Sequence, residues 1–91
     1  MTDDRLNFPP TTEERRRELS KQISKMGEDS KVAIRNIRRD ANDKIKAMKK
    51  NSEMTEDEQK QSEKAMQDIT DKFIKEIETI TAAKEKEIME I

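Results

Sequence analysis

The sequence predicts an all-α protein built as a long antiparallel αα-hairpin, and three observations lead there. Charged residues make up 45% of the 91 and hydrophobic residues only 30%, which leaves too little apolar material for a wide core. Two phenylalanines, no tryptophan, no tyrosine and one glycine argue against a sheet protein or a compact α/β enzyme. The apolar residues recur at steps of three and four, the spacing of one helix face, which a disordered chain of similar polarity need not show.

Residues 1–10 read as an extended arm or hinge, because Pro9-Pro10 fixes φ and pushes the preceding residue out of the helical region. Leu6 and Phe8 are its sizeable apolar groups and are expected to pack on a neighbouring element. Thr11-Thr-Glu-Glu14 forms a capping-box pattern, with Thr12 an equally good N-cap and two glutamates matched to the positive helix end. A basic helix over 11–50 follows. Leu19, Ile23, Met26, Ala33, Ile37, Ala41, Ile45 and Met48 keep helical spacing, with Ser30 filling the gap. Such a helix has about 38 residues and is on the order of 57 Å long. Gly27 interrupts it at about 1 kcal/mol relative to alanine, and permits either close approach of a second helix or a bend.

Asn51-Ser-Glu-Met54 supplies a turn over 51–54, and Thr55-Glu-Asp-Glu58 is a second capping box. An acidic helix over 55–91 then carries Met66, Ile69, Phe73, Ile77, Ile80, Ala83, Ile88 and Ile91 as its apolar stripe. Two helices of near-equal length joined by a short loop pack antiparallel as one helical domain. The six methionines fill core gaps or start the chain. The apolar arc from Ala33 through Ile45 is wider than a single seam requires. A third helix from another chain, self-association into a four-helix bundle, or a missing part of a longer protein would each cover the remainder.

Net charge of −1 conceals a division between the halves. From 11 to 50 there are 13 Lys and Arg against 7 Asp and Glu, and from 51 to 91 there are 6 against 12. With Ile37 set at zero and about 100° per residue, Lys31, Arg35, Arg38, Arg39, Asn42, Lys46 and Lys49 fall between about 100° and 200°. Asp40 and Asp43 project to the other flank, so the arc from 31 to 49 is free of acids. Three arginines in five residues suit planar, bidentate contact with phosphate or carboxylate, which makes these seven residues the candidate site and a polyanion the natural partner. A solvated charged face with no partner is the other reading of such a pattern. Arg15-Arg16-Arg17 sits among Glu13, Glu14 and Glu18 and reads as mainly solvated.

Catalysis is not expected. The chain has no histidine, no cysteine and no glycine-rich loop, and its carboxylates sit on solvated helix faces without the apolar surroundings that raise a carboxyl pKa. No cofactor or metal is called for by these residues. Lack of cysteine excludes a disulfide framework and suits a reducing cytoplasm. No apolar run approaches the roughly 20 residues of a membrane span.

Four stretches are familiar together: Pro9-Pro-Thr-Thr-Glu-Glu-Arg-Arg-Arg-Glu-Leu19, Val32-Ala-Ile-Arg-Asn-Ile-Arg-Arg-Asp-Ala-Asn-Asp-Lys44, Glu56-Asp-Glu58 and Lys84-Glu-Lys-Glu-Ile-Met89. Over residues 5–91 the chain resembles the C-terminal half of bacterial and organellar ribosome recycling factor. In that family a three-helix bundle is interrupted after its first helix by a small β-rich domain. The chain resembles only the second and third helices, with residues 5–10 similar to the returning strand and hinge, so truncation is the expectation for its N-terminus. The resemblance implies a role after termination, in which the factor binds the large ribosomal subunit and, with elongation factor G and GTP hydrolysis, splits the ribosome. It further implies that Arg35 and Arg38 contact large-subunit rRNA, with Arg39 and Asn42 alongside. Without the inserted domain the chain is expected to bind weakly and to fail at splitting. The competing reading is a structural hairpin that self-associates, as a homodimer, without RNA.

Overall fold

A computed structural model describes residues 12–90, and over them the chain is two helices: α1, Thr12–Lys50, and α2, Glu56–Met89. The antiparallel hairpin expected from the sequence is the observed fold. The Cα extents are 76 × 24 × 12 Å, so the molecule is a single layer one helix thick. Residues 1–11 and 91 lie outside the described residues, and with them fall the arm, its Leu6 and Phe8, the Thr11 cap and the last apolar residue, Ile91.

The turn between the helices is built from local hydrogen bonds. Ser52 N–H donates to the Lys49 carbonyl at 3.1 Å and Glu53 N–H to the Met48 carbonyl at 2.8 Å, the paired bonds of a Schellman motif. Ser52 therefore takes φ 60°, the left-handed region where glycine is favoured. Beyond it, Thr55 caps α2 through the reciprocal box read from the sequence. Glu58 N–H donates to Thr55 Oγ1 and Thr55 N–H donates to Glu58 Oε1, each at 3.1 Å. Helix geometry leaves those first N–H groups without intrahelical partners, and the box satisfies them.

Seam residues are few. Among the described residues Gly27 and Ile45 of α1 and Thr70 and Ile88 of α2 are buried, flanked by half-buried Ile23, Ile34, Ala41, Met66, Ile74 and Ile77. Gly27 sets the closest approach: a Cβ there would lie 2.7 Å from Thr81 Oγ1. Of the two roles read for this glycine, close approach is the observed one. Thr70 satisfies its own hydroxyl by donating to the Met66 carbonyl at 2.7 Å, so a polar side chain sits in the seam without an open hydrogen bond.

Half of the apolar stripe expected in the core is not there. Met26, Ala33, Ile37, Met48, Ile69, Phe73, Ile80 and Ala83 are exposed, Ile37 at 64% and Phe73 at 46%. The physical reason is width. A two-helix seam covers a narrow strip, and the strip used is the one where Gly27 and two threonines allow the axes to close. The bulkier apolar residues turn to one open face. There two recesses open, one lined by Ile23, Met26, Ile77 and Ile80 with Lys84 beside them, the other by Ile37, Met66, Ile69 and Phe73 with Arg38 beside them.

Candidate nucleic-acid interface

The hairpin has two unlike sides, and Gly27 with Thr81 shows where they divide. These two residues floor both the apolar recess and a polar trough walled by Ser24, Glu28, Lys31, Glu78 and Glu85, so the trough lies on the opposite side of the seam. The basic arc of α1 continues along that polar side. Helical spacing puts 24, 28, 31 and 35 in one row, and Arg39 and Lys46 beside it.

Rotation of α1 about its axis sorts the seven candidates. The side chains of Arg35, Arg39 and Lys46 are exposed and make no hydrogen bond or ion pair with described residues. They are about 11 residues, or roughly 16 Å, from first to last along one face. Lys49 is half-buried near the turn, its side chain also without such a partner. Lys31 is different. Its side chain is only 17% exposed, and Nζ stands 3.0 Å from Glu28 and 3.7 Å from Glu78, so much of its charge is answered within the hairpin. Glu28 lies one turn before the acid-free stretch, and Glu78 comes across from the acidic helix.

Arg38 is half-buried at the seam, where Nη1 donates to Gln67 Oε1 at 3.1 Å. Gln67 is itself steadied, its Nε2 donating to Asp71 Oδ1 at 2.8 Å. One guanidinium N–H of five is thus spent on orientation while the planar fork keeps donors for a ligand. Asn42 is half-buried as well, and its Oδ1 is buried with no hydrogen-bond partner. Gln67 and Asp71 are the site residues that sequence reading missed. Their signal is register: counting outward from the turn places Gln67 near the level of Arg38, but only a fixed seam says that they meet.

Elsewhere the charges pair locally. Arg15 stands 3.3 Å from Glu18 and Arg17 3.7 Å from Glu13, both arginines exposed, whereas Arg16 between them is half-buried, so the expected solvated cluster holds for two of its three members. The Lys25 ammonium is raised above its ordinary pKa by its 2.8 Å hydrogen bond to Asp29, and Lys64 likewise by Asp68 at 2.9 Å. Glu58 is held below the usual carboxylate range, first by the Thr55 backbone N–H and then by the Thr55 side chain. No helix among the described residues is long and apolar enough to cross a membrane, and no three acidic side chains among them converge as a metal site.

Comparison with known proteins gives this geometry a family. Residues 4–89 match the family model of ribosome recycling factor. The chain is 61% identical over 87 residues to ribosome-recycling factor of Caldicellulosiruptor saccharolyticus, covering 96% of the chain and 47% of that protein. It is 61% identical to that of Acetivibrio thermocellus, covering 96% and 48%, and 56% identical to that of Bacillus licheniformis, covering 96% and 47%. The chain thus spans about half the length of the curated relatives it matches. The family is one of non-enzymatic translation factors with a role in ribosome recycling. A match over nearly the whole chain, together with identity above half, carries the conclusion that this chain belongs to the ribosome recycling factor family.

Proposed function

We propose that the chain is a ribosome-binding part of a recycling factor, contacting large-subunit rRNA in the cytoplasm after termination. The observation that carries this reading is the exposed trio Arg35, Arg39 and Lys46 on the polar side of α1, whose side chains have no partner among the described residues and are bordered by the Gln67-oriented Arg38. Its mechanism is electrostatic and shape-directed. A rigid helix presents guanidinium forks at fixed spacing to phosphates of folded RNA, and each contact releases counterions. With two phenylalanines in the whole chain, base stacking contributes little. Asn42, Lys49 and Lys31 border the contact, Lys31 weakly because two carboxylates already answer it.

Splitting the ribosome needs a lever as well as a grip. The described residues supply the grip in a layer one helix thick, and the chain is expected to bind subunits without separating them. The test is co-sedimentation with purified large subunits, beside the Arg35→Ala/Arg38→Ala double substitution with helicity verified, and a splitting assay with elongation factor G and GTP. Binding by the parent chain, loss of binding in the helical double variant, and no splitting are the expected results. Splitting at the rate of an intact factor, or equal binding by the double variant, contradicts the proposal.

A further inference from the structure

We infer that Lys60 of the acidic helix α2 is a further rRNA contact, and that with Lys49 it clamps one phosphate between the two helices near the turn. The inference rests on the rRNA reading above and carries that site across the seam. It starts from a repeat. Gly27 and Ile45 are buried 18 residues apart in α1, and Thr70 and Ile88 are buried 18 residues apart in α2. That spacing is about five helical turns, so each helix presents the same azimuth to its partner again over that distance. Lys31 and Glu78 meet across the polar edge of the seam, with Nζ 3.7 Å from the carboxylate. Five turns nearer the loop, the same two azimuths hold Lys49 and Lys60. Because the helices run antiparallel, equal steps from Lys31 and from Glu78 also end at one level. A cation therefore stands where the acid stood.

Pairing along the polar edge changes at the same place. Far from the turn the edge is closed: Ser24 Oγ donates to Glu85 at 2.7 Å, Lys31 meets Glu78, and Arg38 donates to Gln67 at 3.1 Å. Beyond Arg38 it is open. Asn42 Oδ1 is buried with no hydrogen-bond partner, and the half-buried Lys49 side chain makes no ion pair or hydrogen bond among the described residues. The recess that Lys49 shares with the turn also holds Glu53 and Glu58, but Glu58 is committed to the Thr55 cap. Lys60 has a 72% exposed side chain, and the carboxylate it pairs with, Glu56, lies 3.9 Å away and is 75% exposed, so water and salt screen that pair. Lys64, one turn further along α2, is answered by Asp68 at 2.9 Å. Two weakly answered ammonium groups facing across a seam repel until an anion enters between them, and a phosphate oxygen accepts hydrogen bonds from both. The acidic helix thus supplies one wall of the basic site.

The experiment joins subunit binding to stability, on the whole chain with helicity verified for every variant. Binding to purified large subunits is measured across a range of salt for the parent, Lys49→Met, Lys60→Met, the double variant and Lys64→Met. Each of the first two substitutions is expected to weaken binding about two- to fivefold, and the double variant to flatten the slope of log K against log salt by about one unit, because the two lysines share one phosphate. Lys64→Met is expected to leave affinity and slope nearly unchanged. A second arm reads the facing of the two lysines without RNA. Lys60→Glu recreates the pairing that Lys31 makes with Glu78, so it is expected to raise the urea midpoint by about 0.2–0.5 M, to lose most of that gain in a Lys49→Met background, and still to bind subunits at least as weakly as Lys60→Met. A parent chain that does not bind overturns the rRNA reading and the clamp with it. Binding that depends on Arg35 and Arg38 but is unchanged in Lys60→Met overturns the clamp alone. So does a double variant that flattens the slope by about two units, or a Lys60→Glu gain that is equal in both backgrounds.

Discussion

Gly27→Ala is the substitution whose sign depends most on how the helices meet. Alanine in a helix interior is worth about 1 kcal/mol over glycine, so an isolated helix would gain by the change. In the hairpin the added Cβ would stand 2.7 Å from Thr81 Oγ1 and 3.4 Å from its Cγ2, and the first distance is shorter than any tolerable contact. Thr81 is short and stiff at χ1, so relief requires moving its side chain or parting the helices, an overpacking cost of about 1–3 kcal/mol. The net expectation is destabilisation by about 1 kcal/mol, or a fall of roughly 4–8 °C in melting temperature for a chain of this size. In a Thr81→Ala background the nearest remaining contact is the residue-81 Cβ at 3.6 Å, an ordinary van der Waals distance. There Gly27→Ala should stabilise by up to about 1 kcal/mol. The assay is urea unfolding followed by circular dichroism at 222 nm, for all four members of the double-mutant cycle, at a concentration low enough to keep the chain monomeric. Equal stabilisation by Gly27→Ala in both backgrounds would refute the close approach at this level of the seam.

Three further expectations follow from local geometry. Ser52 holds φ 60°, so Ser52→Gly should stabilise the hairpin by about 0.5–1 kcal/mol in the same urea assay. Glu58 has a lowered pKa in the folded chain, which means that its capping contribution is complete above the ordinary glutamate value of about 4.3 and is lost as pH falls through the lower folded value; Glu58→Gln should remove that part of the acid dependence of helicity while leaving the melt at pH 7 little changed. Gln67→Ala should leave the fold intact but free the Arg38 guanidinium from its 3.1 Å acceptor, weakening large-subunit binding about two- to fivefold in a filter or sedimentation assay.

What the sequence made legible was local. The helix pair, the turn and the Thr55 box follow from periodicity and from side chains that reach only three or four residues, and the arginines at 15 and 17 find the nearby glutamates that their spacing suggested. Rotation of each helix about its axis was not legible. An apolar arc spanning Ala33 to Ile45 is compatible with several seams, and the choice among them is made by Gly27 meeting Thr81, a contact between residues 54 positions apart. Setting Ile37 at the centre of the core therefore misplaced it. The seam instead follows Ile23, Gly27, Ile34, Ala41 and Ile45. The same rotation drew Lys31, Arg38 and Asn42 from the free arc to the seam edge, and gave Arg38 and Lys31 partners on α2, Gln67 and Glu78. Charge pattern along one helix cannot report partners supplied by another.

The central claim, that the exposed cations of α1 grip rRNA phosphates, is tested most directly by the salt dependence of binding to large subunits for the parent chain, Arg35→Ala, Arg39→Ala and Lys31→Met. Lys31→Met keeps the stem that packs in the seam and removes only a charge already answered by Glu28 and Glu78. Each arginine variant should flatten the slope of log K against log salt by roughly one unit, and Lys31→Met should leave it nearly unchanged. Identical slopes for all four chains, or the largest change at Lys31, would contradict the account.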